Sequence, residues 1–371
     1  MTRPMTRTVI VGGGLAGGYA AALLARAGAQ VTVLERSTGP VDKVCGEFLS
    51  HEAQGYLREA GLDLDALGAP PIDRVRVANG KRLAEARLPF TALGLSRRRL
   101  DEALLQHAER LGAEVRRGVS VKHVGAEGLE TSDGALAADR TILASGKHDV
   151  RGAGRESDNA DWGMVGFKLY FTLEPAQRRA LEGAVEIVMF DGGYAGLQLV
   201  EDGRANLCLL VREAHFASVG RTWDELSARL MSEPHLARRF GGAQGSEPRP
   251  LAIARLPFGF LRRQSVGERV YPVGDQAAVI PSFTGDGMAI ALHSARLAAQ
   301  AAADGAGADR YLARLSADLA RPVGLACWLQ RRAERWPGRA ATVAAFAAFP
   351  PLLAHIARAT RVPGRALARA A

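Results

Sequence analysis

The tightest constraint on this chain lies within its first 35 residues. A short β-branched run at residues 8–11 leads into Gly12-Gly13-Gly14-Leu15-Ala16-Gly17-Gly18, and residues 19–27 have helical composition and spacing. Gly28 stops that segment, and a second apolar run occupies residues 30–34. Strand, glycine turn, helix and strand make a βαβ unit. The spacing Gly12-x-Gly14-x-x-Gly17 has a mechanical basis. The first glycine makes the tight turn, the second lets a pyrophosphate approach the backbone, and the third lets the helix pack on the strand. The helix start, at Leu15 and Ala16, offers free N–H groups and a positive dipole end to phosphates. Glu35 ends the second strand, 23 residues after Gly12. A carboxylate there accepts hydrogen bonds from ribose hydroxyls and repels a 2′-phosphate, and Arg36 is grouped with it.

At 371 residues the chain exceeds what one core usually organises, so two joined domains are expected. Residues 38–50 read as a loop and 52–59 as a helix. Residues 75–78 and 82–88 form a hairpin around Asn79-Gly80. Residues 100–111 make an amphipathic helix, 114–121 a strand, and 140–144 another. From residue 163 the pattern changes to successive strands at 164–173, 185–190, 195–200 and 206–211. Turns at Asp191-Gly192-Gly193 and Glu201-Asp202-Gly203 separate them, which predicts an antiparallel sheet. Residues 221–240 are helical, 270–273 a strand, and 288–303 an Ala-rich helix. The remainder is helical, with breaks expected at Pro322, Pro337, Pro350 and Pro351.

NAD and FAD both satisfy the first motif. Four segments together resemble the p-hydroxybenzoate hydroxylase and geranylgeranyl reductase superfamily of FAD-dependent oxidoreductases. They are the glycine turn with Glu35; Ser96-Arg97-Arg98-Arg99-Leu100-Asp101; Ala144-Ser145-Gly146 with the following residues to Arg151; and Gly274-Asp275 with Thr284-Gly285-Asp286-Gly287-Met288. The resemblance implies non-covalent FAD. Arg97 would lie near its phosphates and ribityl chain, Gly146 beside it, and Asp275 on the ribityl hydroxyls. Gly274, Gly285, Asp286, Gly287 and Met288 would present backbone N–H groups to the flavin ring, where reduced flavin carries negative charge. Ser145 stands where the family has Asp, a departure that bears on direct use of NADH or NADPH, the expected transient electron donor.

The fold implied is α/β: a Rossmann-like FAD-binding domain with an inserted antiparallel-sheet substrate domain and a helical C-terminal tail. The FAD-binding domain would cover residues 1–74, 95–155 and 264–320. The sheet domain would cover 75–94 and 156–263, and the tail 321–371.

Lys43-Val44-Cys45-Gly46-Glu47-Phe48-Leu49-Ser50 is similar to the Cys-Gly loop of the geranylgeranyl reductase-like branch, some of whose members are associated with aromatic polyketide pathways. The Trp-x-Trp-x-x-Pro pattern of flavin halogenases is absent, and no second Gly-x-Gly-x-x-Gly follows. Two chemistries compete. In a monooxygenase, reduced FAD captures oxygen and the hydroperoxide attacks an electron-rich ring. In a reductase, reduced flavin delivers hydride to a carbon–carbon double bond. Hydroxylation of an aromatic or polyketide-type, lipid-tailed substrate is the favoured expectation; a flavin-binding role without turnover is the third reading.

Cys45, Glu47 and Lys168 are the catalytic candidates. Cys45 borders flavin or substrate, or is a small apolar residue shaping its loop. Glu47 contacts flavin, acts as an acid–base group, or caps the helix after Ser50. Lys168 lies within an apolar strand and faces the pocket or solvent. Tyr194 and Phe283 are substrate-pocket candidates. His293 reads as structural, Cys208 and Cys327 as core. Three scattered cysteines suit neither a disulfide framework nor a zinc site, so no metal is expected and a reducing cytoplasm is.

The net charge of +9 is concentrated at the end of the chain. From residue 320 onward there are nine arginines, at 321, 331, 332, 335, 339, 358, 361, 365 and 369, against one acid, Glu334. No recognition fold for nucleic acid accompanies them. Either this is a solvated helical face, or it is an anion-seeking surface for peripheral membrane contact or a lipid-like substrate. No secretion segment is expected. Residues 340–357 lack charge but are broken by Pro350-Pro351, against a spanning helix. Phe346, Phe349, Leu352 and Leu353 read as packing.

Overall fold

The glycine turn links β1 (Arg7–Val11) to α1 (Leu15–Arg26). This structure is a computed structural model, describing residues 6–125, 128–155, 163–333, 338–364 and 366. β2 (Gln30–Glu35), β3 (Phe48–Leu49) and α2 (His51–Glu59) follow. The expected hairpin is β4 (Pro71–Asn79) and β5 (Arg82–Gly94), succeeded by α3 (Arg97–Arg110) and β6 (Glu114–Arg117). Short strands β7 (Val121–Val124), β8 (Gly128–Thr131) and β9 (Gly134–Ala137) precede β10 (Arg140–Leu143). Next come β11 (Met164–Thr172), α4 (Pro175–Leu181), β12 (Gly183–Phe190), β13 (Gly193–Leu199) and β14 (Ala205–Arg212). Helices α5 (Glu213–Ser218), α6 (Trp223–Leu230) and α7 (Pro234–Phe240) lead to β15 (Gln244–Gly245), β16 (Leu251–Ala254) and β17 (Val270–Pro272). The chain closes with α8 (Gly287–Asp304), α9 (Ala308–Ala333), α10 (Gly338–Ala348) and α11 (Pro350–Ala359).

A five-stranded sheet, β17-β10-β1-β2-β6, is parallel throughout. Its strands read as apolar runs because both faces are covered. Leu24, Leu100, Leu104 and Leu292 from α1, α3 and α8 cover one face, and Val124 and Leu129 of the β7-β8-β9 sheet cover the other. That three-stranded sheet has no counterpart in the sequence reading. The strand expected over 114–121 ends at Arg117, because Gly118 (φ +77°) turns the chain and residues 121–124 join the small sheet.

The larger sheet runs β15-β11-β14-β13-β12-β4-β5-β3, with β16 also on β11. Its pairings are antiparallel except β4–β12, which is parallel. Local hairpins cannot reveal that pairing. A parallel pair needs a long crossover, and here the crossover runs back through the other sheet. α6 and α7 cover one face with Leu226, Leu230, Leu236 and Phe240. Beneath α7, buried Glu186 accepts hydrogen bonds from Arg76 (2.9 Å), Arg239 (2.6 Å) and pairs with His235 (2.8 Å).

α9 runs through Pro322 where a break was expected; a proline costs the helix one hydrogen bond, which packing at Val323 and Ala326 tolerates. Pro350 and Pro351 do part α10 from α11, which bend by 108°, and Pro337 lies outside the described residues. Among the described residues no single helix is long and apolar enough to cross a membrane.

Candidate functional site

Gly12 takes φ +100°, and a Cβ there would lie 2.5 Å from the Ala144 carbonyl oxygen. A Cβ on Gly17 would lie 1.9 Å from the Gly12 carbonyl oxygen. Both glycines therefore serve strand–helix contact. Gly14 differs: its Cβ would point at Lys43 Nζ (3.1 Å) and Arg97 Nη2 (3.5 Å), into the space an anion between those cations needs. α1 begins there with no side-chain cap, leaving its first-turn N–H groups for a ligand. Asp101 Oδ2 lies at 3.6 Å from the same point and holds both cations in place, so this glycine-lined cradle at a helix start, with two cations and one carboxylate, fits a dinucleotide pyrophosphate.

Glu35 Oε2 accepts from Gly13 N (2.7 Å) and Oε1 from Ser37 N (2.9 Å), which fixes its carboxylate at the groove edge. Arg36 reaches His148 Nε2 (2.8 Å) across the same groove. Arg97 grips Asp101 through Nε (2.8 Å) and Nη2 (2.9 Å), and Lys43 Nζ joins it at 2.8 Å. Burial acts to lower the Arg97 guanidinium, but Asp101 and then Cys45 outweigh it, so its proton is held more tightly than usual. Asp275 pairs with Lys147 (3.0 Å); burial acts to raise its carboxyl, and Lys147 holds it below the ordinary range. Gln276 Nε2 donates to the Gly146 (2.8 Å) and His148 (3.1 Å) carbonyls, so the two distant glycine segments are tied together. Ser145 Oγ donates to the His148 carbonyl (2.7 Å), closing its own loop.

The loop of residues 42–49 lies over the face of the large sheet that carries Lys168, Tyr170, Asn206, Cys208, Gly196 and Gln198 in register. Asn206 Nδ2 donates to the Cys45 (3.1 Å) and Gly46 (3.0 Å) carbonyls, and Gln198 Nε2 to the Glu47 carbonyl (2.8 Å). Glu47 is fully buried with φ +59°, a left-handed conformation costly for a side chain with a Cβ. Its Oε1 accepts from Lys168 Nζ (2.5 Å), Tyr170 OH (2.9 Å) and Arg97 N (2.8 Å). Burial pushes its carboxyl up, against the pull of Lys168.

Lys168, expected to face the pocket or solvent, faces neither and lies against the underside of this loop. Nor does Glu47 cap α2; Ser50 does, its Oγ accepting from Ala53 N (3.4 Å). Cys45 Sγ accepts from Glu47 N (3.4 Å) and lines the cavity beside Arg97 and Lys147. Cys208, read as core, lines the cavity too, and burial pushes its thiol up to about 12.

One cavity of about 1200 Å³ runs from the glycine turn to α11. Of the expected cofactor residues, Gly12, Gly14, Leu15, Ala16, Glu35, Arg36, Cys45, Arg97, Gly146, Gly274, Asp275, Gly285, Gly287 and Met288 line it. Gly17 lies behind the turn. The Asp286 side chain points away. It accepts from Arg361 Nη1 (3.1 Å) and Val362 N (2.9 Å), and burial raises its carboxyl to about 7. Arg361 Nη2 also donates to the Thr284 carbonyl (2.9 Å).

Tyr194 and Phe283 meet edge to face at 6.5 Å on the cavity wall, past the Cys45 loop. Beyond them Val77, Leu88, Val185, Ile187 and Met189 from the sheet face Phe346, Leu353 and Ile356 from α10 and α11 across an apolar branch. Sequence reasoning missed Lys43, Lys147, Tyr170, Gln198, Asn206 and Gln276. Lys147 could have been found as the cation beside Gly146, and Lys43 as the one that opens the Cys45-Gly46 loop. The sheet residues carry no local signal.

Residues 5–149 match the family model described as an FAD binding domain. The menaquinone reductase of Mycobacterium tuberculosis is 29% identical over 79% of this chain and 75% of its own length. Digeranylgeranylglycerophospholipid reductase 2 of Methanopyrus kandleri is 28% identical over 80% of this chain and 76% of its own. Among solved structures, a flavin-dependent brominase superposes with a TM-score of 0.77 at 19% identity, over 96% of this chain and 93% of that one.

Proposed function

Because the chain belongs to the FAD-dependent oxidoreductase superfamily, we propose that it is a monooxygenase acting on an aromatic ring with a long apolar chain. Bound FAD supplies the electron and oxygen chemistry. Gly12, Gly14 and the start of α1 with Lys43 and Arg97 would hold its pyrophosphate, Glu35 its ribose, and Asp275 with Lys147 its ribityl chain. The Cys45 loop and the Thr284–Gly287 backbone would flank the ring system. Tyr194 and Phe283 orient a flat substrate edge to face, and the aliphatic branch beyond them holds the chain and excludes water.

The observation that carries this reading is the continuity of the cavity: the dinucleotide groove passes the aromatic pair and opens into the branch between β4, β12 and α10–α11. Each buried CH₂ contributes about 0.8 kcal/mol. Purified protein supplied with FAD, NADH or NADPH, and a resorcinol bearing alkyl chains of increasing length is expected to consume oxygen, with KM falling as the chain grows. Isotopic oxygen from O₂ should enter the product. Oxygen uptake with no labelled product overturns hydroxylation, and a KM indifferent to chain length overturns the assignment of the branch.

A second reading is favoured by two sequence relatives named as reductases, one of them for a lipid with geranylgeranyl chains. In that case the Cys45 thiol, which lines the cavity beside Arg97 and Lys147, would be the proton donor. Anaerobic saturation of a polyprenyl chain by dithionite-reduced protein, lost in Cys45→Ala, would select it.

A further inference from the structure

The end of the cavity lies against α9, α10 and α11, and the outside of that wall is apolar. Trp328 is 55% exposed, Phe349 60% and Leu352 36%, three of the largest exposed apolar side chains in the described structure. Trp328 and Leu352 also line the cavity, so the apolar surface is continuous with its interior. The elbow between α10 and α11 is tied down from within. Val343 and Leu353 are buried against Val75, Val77, Ala84 and Met189. Arg339 Nη1 donates to the Phe190 carbonyl (2.7 Å) and Arg361 grips the Thr284–Asp286 segment. The exposed outer face, with Ala341, Ala344, Ala345, Ala347, Ala348, Phe349 and Leu352, therefore belongs to a fixed element and carries no acid.

Exposed cations lie on α9 and α11 beside it. Arg321, Trp328 and Arg332 share one stripe of α9, with the Arg332 guanidinium 5.6 Å from the Trp328 ring centre, and Arg358 is exposed on α11. An aromatic and apolar tip flanked by arginines, on two helices that carry no acid of their own and with the neighbouring Asp191 paired to Arg339, is the pattern of a helix that lies in the interface of an anionic bilayer. The 108° bend keeps the helix pair from spanning one.

We propose that the α10–α11 elbow with the Trp328 stripe of α9 docks the protein on an anionic lipid surface, with the cavity mouth facing the bilayer. The use of that mouth as a portal for a chain-bearing substrate rests on the proposed function above; the docking itself does not.

The test is flotation of the FAD-loaded protein with vesicles of phosphatidylcholine alone or with about 30% phosphatidylglycerol, a mole fraction giving a surface potential comparable to cytoplasmic leaflets. The protein is expected to float with anionic vesicles, less so as salt rises. Phe349→Asp is expected to lower the bound fraction at least ~10-fold, and Arg358→Glu about 5-fold or more, whereas Phe349→Trp retains binding. Neither side chain lines the cavity, so flavin absorbance and melting temperature check that the variants are folded. Absence of flotation, equal flotation with neutral vesicles, or unchanged flotation of Phe349→Asp overturns the proposal. So does a concentration-dependent dimer in light scattering that Phe349→Asp abolishes, since a second copy would then cover the patch. Because no substrate is present, a failed turnover assay with normal flotation counts against the reaction alone.

Discussion

At the scale of single residues, the glycines of the turn divide into two kinds. Gly17→Ala would drive a Cβ to 1.9 Å from the Gly12 carbonyl oxygen, so the change is expected to destabilise the protein even without flavin. Gly14→Val instead projects into the cation-lined groove. It should leave the flavin-free melting temperature nearly unchanged and weaken FAD by on the order of 100-fold, through loss of about 3 kcal/mol of charge-assisted hydrogen bonds. Thermal melts of flavin-free protein and flavin fluorescence titration separate the two. Equal losses of stability in both variants would refute the division. Asp286 is a third case. Burial raises its carboxyl from 3.8 to about 7, despite Arg361. Between those values the folded state holds a proton that the unfolded chain has released, so stability falls as pH rises through that window. Melting temperature against pH should lose that slope in Asp286→Asn; an unchanged slope would assign it elsewhere.

Among elements, the decisive contact is between the Cys45 loop and the large sheet. Glu47 and Lys168 lie on different elements, both almost wholly buried, and their carboxylate–ammonium pair holds the loop in a left-handed turn. Removing one partner strands the other charge. Glu47→Gln is therefore expected to cost about 3–5 kcal/mol, and Glu47→Gln with Lys168→Met to recover part of it. Denaturant unfolding measures both; additive losses in the double variant would show that the two residues act separately. Their placement as a strap means that lost turnover in Lys168→Met should accompany altered flavin absorbance. A kcat effect with an unperturbed flavin spectrum would return Lys168 to the reacting atoms.

For the whole molecule, acid stability is expected to depend on the cluster between the large sheet and α7. Burial opposes ionisation of Glu186, but His235 and Arg239 hold its carboxyl down at about 2 from 4.5. A depressed carboxyl contributes stability in full above its unfolded value and loses it as pH falls through the folded one. The contribution, on the order of 3 kcal/mol, should disappear progressively between about pH 4.5 and 2. In Glu186→Gln the protein should be less stable at neutral pH and flatter over that acid range, as read by circular dichroism melts. The C-terminal helices belong to this scale as well. Arg361 and Val362 reach back to Asp286, so truncating the tail would disturb the flavin site along with any surface function.

The chain by itself determined the βαβ unit, the hairpin at Asn79-Gly80, most strand and helix positions, and the return of the nucleotide site at Gly274-Asp275. These rest on short-range physics: a turn that only glycine permits, periodic apolar residues, and a carboxylate at a strand end. Tertiary structure decided the rest. Local alternation put Lys168 on one face of its strand, but only the packed loop shows that face to be occupied by Glu47. The parallel β4–β12 pairing, the tie from Gln276 to Gly146, and the Arg361 anchor join residues more than 70 positions apart. Cys208 reads as core because its neighbours are apolar; it reaches the cavity because its cross-strand neighbour Gly196 has no side chain to cover it. Likewise an arginine-rich tail has the same composition whether solvated or docked. Which arginines are consumed inside, as Arg339 and Arg361 are, and which ring an exposed apolar elbow, depends on how the helices meet the sheet; Arg335, Arg365 and Arg369 lie outside the described residues.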